Sequence, residues 1–344
     1  MSNFLYEREQ KCREGISRSL SKLPDYCLDF FLSIENYTSP LTRLNYSKDL
    51  EIFFNYLANN VFHKNVKEIT FLDLDNLKSK DIELYISYLS YYEYNGKYYH
   101  NGEKGKARKI ASVKSFFKYN YKHDNLKSDV ASKVDTPKIH TKDIVRLEVD
   151  EVAKLINEAD VPEHMSKRQQ AFNKHTRTRD IAILSLFLGT GIRVSECVGL
   201  NLNDVDFENN SFKVTRKGGN QVILYFSDEV KNALSQWVTD REKFLENVKE
   251  NALFVSLQKR RISTRAVENL VKKYARIVSP LKKISPHKLR STYGTNLYRE
   301  TGDIYVVAEV LGHKDVNTTK RHYAAMSEDI RRSVADKVKL NSEN

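Results

Sequence analysis

Over the first 135 residues, apolar side chains recur at helical spacing and almost never alternate as they would along a strand. Met1 to Leu23 is charged with few apolar anchors and reads as an accessory helix. Ser39-Pro40 supplies an N-cap and a first helical residue, and Leu41, Leu44, Leu50, Phe53, Phe54 and Leu57 follow at helical intervals. Ile82, Tyr85, Ile86 and Leu89 mark another helix, and Ile110, Val113, Phe116 and Phe117 a further one. Between these two, Tyr91 to Lys106 holds three glycines and many tyrosines, the composition of a long loop or a small hairpin.

The pattern changes near the middle of the chain. Ser132 to Arg146 is polar, contains Pro137 and has no clear period, so it reads as a linker. Beyond it, Val152, Leu155 and Ile156 mark a helix, and Pro162 to Thr178 reads as a polar loop, either DNA-facing or simply solvated. Ile181 to Leu188 is apolar on every side and therefore a buried helix. Phe212 and Val214 alternate with polar residues, Lys217 to Asn220 forms a turn, and Val222 to Phe226 returns, the one convincing β signal. Leu253 to Leu257 fits a short strand. Helices resume at Ser227, near Thr264 and at Ser285-Pro286, and Ile330, Val334 and Val338 stripe a charged C-terminal helix. The fold class is mainly α with a small β-sheet (α+β). Its parts are a helical domain over 1–134, a linker over 135–146 and a second domain over 147–344.

Charge narrows the function classes. The 344 residues carry 57 Lys and Arg against 45 Asp and Glu, a formal net charge of +12, which favours nucleic acid over a membrane surface. A basic helix with Lys104, Lys106, Arg108, Lys109, Lys114 and Lys118 follows the tyrosine-rich segment and suits a DNA backbone, though a solvated face has the same composition. Lys167, Arg168 and Arg216 are further candidate DNA contacts. Cys12, Cys27 and Cys197 form no CxxC pair, which fits a reducing compartment. No signal-peptide core or membrane-length apolar run is present, so a cytoplasmic location is expected. Metal-ligand clusters, Walker-type loops and GxGxxG are absent from the sequence, so no metal or cofactor is expected.

The candidate chemistry lies in two stretches a hundred residues apart. His287 and Arg290 sit three apart on one helix face; an arginine can grip a phosphate with two parallel bonds, and a histidine can pass a proton. His313 follows a glycine, and Tyr323 beyond it is a possible nucleophile. Upstream, Arg193 stands three residues before Glu196 at the end of the buried helix, and Lys217 lies in the glycine turn. Taken singly, Arg193 and Glu196 read as an ordinary surface ion pair and Lys217 as an ordinary turn residue. Tyr293, Tyr298 and Tyr305 read as packing residues.

Taken in order, Arg193, Glu196, Lys217, His287, Arg290, His313 and Tyr323 resemble the catalytic set of the tyrosine recombinase (phage-integrase) family. The motifs that carry the likeness are Gly189-Thr-Gly-Ile-Arg-Val-Ser-Glu196, Val214-Thr-Arg-Lys-Gly-Gly219, Pro286-His-Lys-Leu-Arg290, Leu311-Gly-His313 and the late Tyr323. The sequence looks most like the Xer group and its single-protein XerS type, with a mobile-element integrase close behind. Ser291 departs from the commoner pattern, in which another histidine follows the motif arginine. The resemblance implies a two-domain, C-shaped clamp: a core-binding (SAM-like) domain and a catalytic domain gripping opposite faces of double-stranded DNA at a recombination site. It implies cleavage through a 3′-phosphotyrosine at Tyr323 and a Holliday junction, without metal or ATP. Arg193, Arg290 and His313 would hold the phosphate, Lys217 would act as general acid, His287 would assist proton transfer, and Glu196 would orient its neighbours. It also implies a dimer on one site and a head-to-tail tetramer in the synapse, with the C-terminal helix docked on the next protomer. A DNA translocase of FtsK type is a further candidate partner. A DNA-binding protein that kept the fold without the chemistry is the rival class.

Overall fold

A computed structural model describes residues 3–140, 145–216, 219–313 and Val316. The chain divides into two compact units, Met1–Lys142 and Asp143–Asn344. Both are mainly helical with small antiparallel sheets. No helix among the described residues is long and apolar enough to cross a membrane.

The first unit contains α1 (Asn3–Leu20), α2 (Cys27–Ser33), α3 (Pro40–Leu57), α4 (Phe71–Asp75), α5 (Ser79–Tyr88), β1 (Tyr91–Tyr94), β2 (Lys97–His100) and α6 (Glu103–Lys122). Helix α3 starts where the Ser39 hydroxyl accepts the Thr42 amide at 3.2 Å, with Pro40 in its first turn. Its Phe53 and Phe54 meet Phe116 and Phe117 of α6, and Phe30 of α2 meets Phe116 edge-on at 5.6 Å. Each ring is fully buried, contributing about 1.5–3 kcal/mol. These phenylalanines are the centre of the unit.

The tyrosine-rich segment is a hairpin, so β structure is not confined to the second unit. Asn95 and Gly96 both take positive φ, 51° and 69°, the geometry of a tight two-residue hairpin turn. Tyr92 faces the core while Tyr91 and Tyr98 stack on the solvent side at 5.4 Å. The segment expected as a linker is tied to the first unit over its first half. Val134 is buried there, and His140 meets Glu103 of α6 through its backbone amide (3.0 Å) and its ring (2.8 Å).

The second unit contains α7 (Val149–Asp160), α8 (Lys167–Thr190), α9 (Val194–Gly199), β3 (Val205–Asp206), β4 (Ser211–Thr215), β5 (Gln221–Tyr225), α10 (Asp228–Leu245), α11 (Thr264–Val278), α12 (Pro286–Thr301) and α13 (Ile304–Leu311). The polar loop expected over 162–178 is instead largely the first half of α8. Ser166 and Gln169 cap that helix reciprocally, Gln169 accepting the Ser166 amide at 2.9 Å. Its polar residues are partly interior. The Tyr274 hydroxyl lies 2.7 Å from Asn173 Oδ1 and 2.8 Å from Asp180 Oδ2, and Lys273 and Arg179 reach the same aspartate. Burial pushes the Tyr274 phenol far up, so it stays a neutral donor inside a satisfied polar core.

The sheet runs β3-β4-β5, with Phe212 opposite Leu224 and Val214 opposite Val222. The two-residue β3 extends the hairpin read from sequence. Leu253 to Leu257 holds a single isolated bridge, Val255 to Arg261, and is not a strand. Its buried residues are anchored by Trp237, whose indole donates to the Leu253 carbonyl at 2.8 Å. All three cysteines are free and buried.

Candidate active site

Two glycines bring the candidate residues together. Gly191 ends α8 in the left-handed region, φ 62°, and turns the chain so that Arg193 opens α9. A Cβ at Gly191 would stand 2.5 Å from the Tyr293 ring and 2.8 Å from a Leu311 methyl, so the close approach of α8 to α12 and α13 needs glycine there. Gly312 ends α13 in the same conformation, φ 61°. A Cβ on it would fall 1.8 Å from the Arg216 guanidinium.

Around the C-terminal carbonyls of α13, three arginines converge. Arg193 donates to the Leu311 and Gly312 carbonyls at 3.3 and 2.9 Å. Arg290, one turn into α12 and almost wholly buried, donates to the carbonyls of Leu311 and Gly191. Arg216, at the end of β4, donates to the Val310 carbonyl at 3.1 Å. The last carbonyls of a helix lack intrahelical donors and carry its negative dipole end, which explains why cations gather there. The buried Glu196 carboxylate accepts from the Arg193 amide (3.0 Å) and guanidinium (2.8 Å). It therefore fixes both the start of α9 and the arginine that opens it.

Burial lowers the pKa of the Arg216 guanidinium; the Glu196 charge opposes that, and the Arg193 charge lowers it further. Arg216, expected as a DNA contact, is half-buried and turned toward α13 through the Val310 carbonyl. It links the hairpin strand preceding Lys217 to the residues just before His313. His287, in the first turn of α12, is exposed, and its carbonyl accepts the Ser291 hydroxyl at 3.0 Å. The His313 amide donates to the Ala308 carbonyl at 2.9 Å, closing the end of α13. Lys217, Tyr323 and the C-terminal helix lie outside the described residues.

Tyr293 and Tyr298 pack on Val307 and Leu311, and burial raises the Tyr293 phenol. Tyr305 is 70% exposed at the start of α13 and is not a packing residue.

The expected DNA contacts divide. Lys104, Lys118, Lys167 and Arg168 are exposed. Lys106 reaches the Ser90 hydroxyl at 2.6 Å, and Lys114 the Val134 carbonyl at 2.5 Å. Lys109 is buried, its ammonium 3.1 Å from Asp49, and so does not face DNA. Asp49 is fully buried and also accepts the Arg108 guanidinium and the Ser112 hydroxyl (2.8 Å), joining α3 to α6. Neither Asp49 nor the Leu311 and Gly191 carbonyls stand out in sequence, because backbone acceptors and remote partners leave no local pattern.

A pair of arginines converging from different helices, one fixed by a buried carboxylate, can hold a tetrahedral anion. Comparison with known proteins agrees with that chemistry. Residues 145–329 match the Phage integrase family and residues 29–124 match "Phage integrase, N-terminal SAM-like domain". The chain belongs to the phage integrase family.

This tyrosine recombinase of the Xer group is 32% identical over 318 residues to Tyrosine recombinase XerC of Caldanaerobacter subterraneus subsp. tengcongensis, covering 89% of this chain and 84% of that one. It is 37% identical over 218 residues to Tyrosine recombinase XerC of Thermodesulfovibrio yellowstonii, covering 62% and 69%. Its fold resembles that of the XerH site-specific recombinase bound to palindromic difH substrate, with TM-score 0.64, 19% identity and coverage of 86% and 80%. The Tn1549 transposon integrase in complex with transposon right end DNA gives TM-score 0.64, 18% identity and coverage of 91% and 98%. Arg193, Glu196, His287, Arg290 and His313 all fall in the segment that matches the phage integrase family, as do Lys217 and Tyr323. The recombinase is an enzyme of site-specific DNA recombination.

Proposed function

We propose that this recombinase acts in the cytoplasm on a chromosomal site of Xer type, resolving chromosome dimers by way of a Holliday junction. The observation that carries the chemistry is the meeting of Arg193 and Arg290 on one carbonyl, that of Leu311. A scissile phosphate would take over those donors. The Tyr323 hydroxyl attacks phosphorus, the bond to the 5′-oxygen breaks, and a 3′-phosphotyrosine forms. Lys217 delivers a proton to the leaving 5′-oxygen, and His287 accepts the tyrosine proton. Arg193, Arg290 and His313 hold the non-bridging oxygens as negative charge builds. Glu196 positions Arg193. The phosphotyrosine keeps the bond energy, so rejoining needs no further energy source.

In the same reading, 1–134 is the core-binding domain, 147–344 the catalytic domain, and the two grip opposite faces of the duplex. A dimer fills one site and a head-to-tail tetramer forms the synapse, the C-terminal helix of each protomer docking on the next, with a DNA translocase as a further partner. The XerC relatives favour this role; the equal fold likeness to a transposon integrase supports the second reading, an integrase of a mobile element.

The test begins by recovering bound sequence from fragmented genomic DNA. A bound site next to the replication terminus supports dimer resolution, and one at the end of a mobile element overturns it. On a nicked suicide substrate built from that sequence, the intact protein forms a covalent adduct and Tyr323→Phe forms none. An adduct that survives this change sinks the nucleophile assignment.

A further inference from the structure

The carbonyls from Ala308 to Gly312, at the end of α13, all have donors. The His313 amide serves Ala308 and the Gly312 amide serves Glu309. Val310 takes Arg216, Leu311 takes Arg193 and Arg290, and Gly312 takes Arg193. In the chemistry proposed above, Arg193 and Arg290 transfer to the scissile phosphate. Arg216 is the guanidinium of the three that has no part in that transfer, and its bond to Val310 still ties β4 to α13 when the others leave.

Arg216 is held through its backbone as well as its side chain. Its amide donates to the Asn220 carbonyl at 2.8 Å, and its carbonyl accepts the Gly219 amide at 3.1 Å. These two bonds close the base of the turn between β4 and β5, the turn to which Lys217 belongs in sequence. The side chain meanwhile reaches Val310, 94 residues later. Its seat is a poor one for a guanidinium. The Nε atom is buried with no acceptor among the described residues, and the Arg193 charge opposes it. The planar group fits only because residue 312 is glycine. A buried donor without an acceptor is uncommon in a folded protein, and one bond to a helix-end carbonyl, which water could also supply, is a small return for it.

We infer that Arg216 is a positioning residue for the general acid: it fixes the base of the turn bearing Lys217 against the end of α13, where Arg193 and Arg290 meet. The inference rests on the reading of the chain as a recombinase in which Lys217 protonates the leaving 5′-oxygen. Arg216 touches no reacting atom in this role. It sets the distance over which the proton is delivered, and general-acid catalysis falls steeply when the donor is misplaced.

A suicide substrate with sulfur in place of the bridging 5′-oxygen isolates that role. Tyr323 attacks phosphorus as before and the P–S bond breaks, but the sulfur leaves as a thiolate and needs no proton, because a thiol ionises near pH ~8.5. Adduct formation by the full chain is timed in single turnover on oxygen and sulfur substrates of the recovered sequence. Lys217→Ala should lose about 10²-fold on oxygen and little on sulfur, which calibrates the pair. Arg216→Ala should lose about tenfold on oxygen and less than about twofold on sulfur. Arg216→Lys, which keeps a stem and one donor, should recover part of the oxygen rate and match the parent on sulfur. A thermal melt checks that each variant is folded, and if the alanine variant is not, Arg216→Lys carries the same comparison. An equal loss on both substrates, or no loss on oxygen, overturns the inference. A Lys217→Ala loss that sulfur leaves in place overturns the general-acid role and the positioning role with it. An intact protein that forms no adduct on either substrate overturns the recombinase chemistry itself.

Discussion

Asp49 in the first unit and the end of α13 in the second each gather cationic side chains, but around different kinds of oxygen. Asp49 carries a formal charge and is fully buried, with Arg108 and Lys109 drawn onto it. Among the acceptors at α13 are neutral carbonyls, which receive all three guanidiniums, and the buried Glu196 carboxylate pairs with Arg193. A carboxylate consumes the charge of its partners; a carbonyl orients them and leaves their field intact. The first cluster therefore serves the fold, and the second retains a positive field, which the proposed chemistry would turn on a phosphate. Basic residues of similar appearance in sequence are sorted into the two uses by what they are buried against.

The sharpest way to break this contrast is at the carbonyl cluster. Arg290→Ala should slow covalent adduct formation on the suicide substrate by on the order of 10²–10³-fold, measured in single turnover. Arg290→Lys should recover only part of the rate, because an ammonium cannot serve two carbonyls in a planar fork. An Arg290→Ala protein that cleaves at the parent rate would remove the arginine from the chemistry.

The matching change at the other cluster should act on stability. Asp49→Ala leaves Lys109 buried without its carboxylate and should cost about 3–5 kcal/mol, read from the urea midpoint of the full chain. A loss below about 1 kcal/mol would mean that the ammonium escapes to water and the cluster is not structural. Gly312→Ala should come next, with an L side chain in the left-handed region costing about 1–2 kcal/mol and displacing Arg216 from Val310. Adduct formation should fall with it by about tenfold, since small misplacements at an active site are expensive.

The smallest effect lies at a third carboxylate, the buried Glu158, which meets the exposed His164 ring at 2.9 Å and its amide at 3.1 Å. The hydrogen bond and charge of Glu158 raise the His164 pKa above its usual 6.5. A histidine raised on folding contributes stability that is fully present below pH 6.5 and is lost as pH rises through the folded value. An NMR titration of His164 should show that upward shift, and Glu158→Gln should remove most of it, leaving the smaller contribution of the Glu163 charge.

Spacing made much of this molecule legible. Ser39-Pro40 and the phenylalanines of α3 and α6 gave the first unit its helices, because capping and an apolar face are local signals. His287 and Arg290 share a helix face for the same reason. What stayed hidden depends on partners far away in sequence. Lys109 looks like any surface lysine until Asp49, sixty residues earlier, is placed against it. Arg216 points inward because a carbonyl 94 residues later receives it. The first half of α8 reads as a loop because Asn173 and Asp180 are polar, and their partner Tyr274 lies in another helix.

The buried cysteines have a practical consequence. Cys27 and Cys197 are enclosed by apolar neighbours that push their thiols far above the ordinary range, and Cys12 is shielded as well. Thiolates are the reactive species, so the native chain should be nearly inert to maleimides while folded. One cysteine introduced at the exposed Tyr98 would then carry a single fluorophore, and the proposed assembly of protomers on DNA could be tested without first stripping the protein of its own thiols.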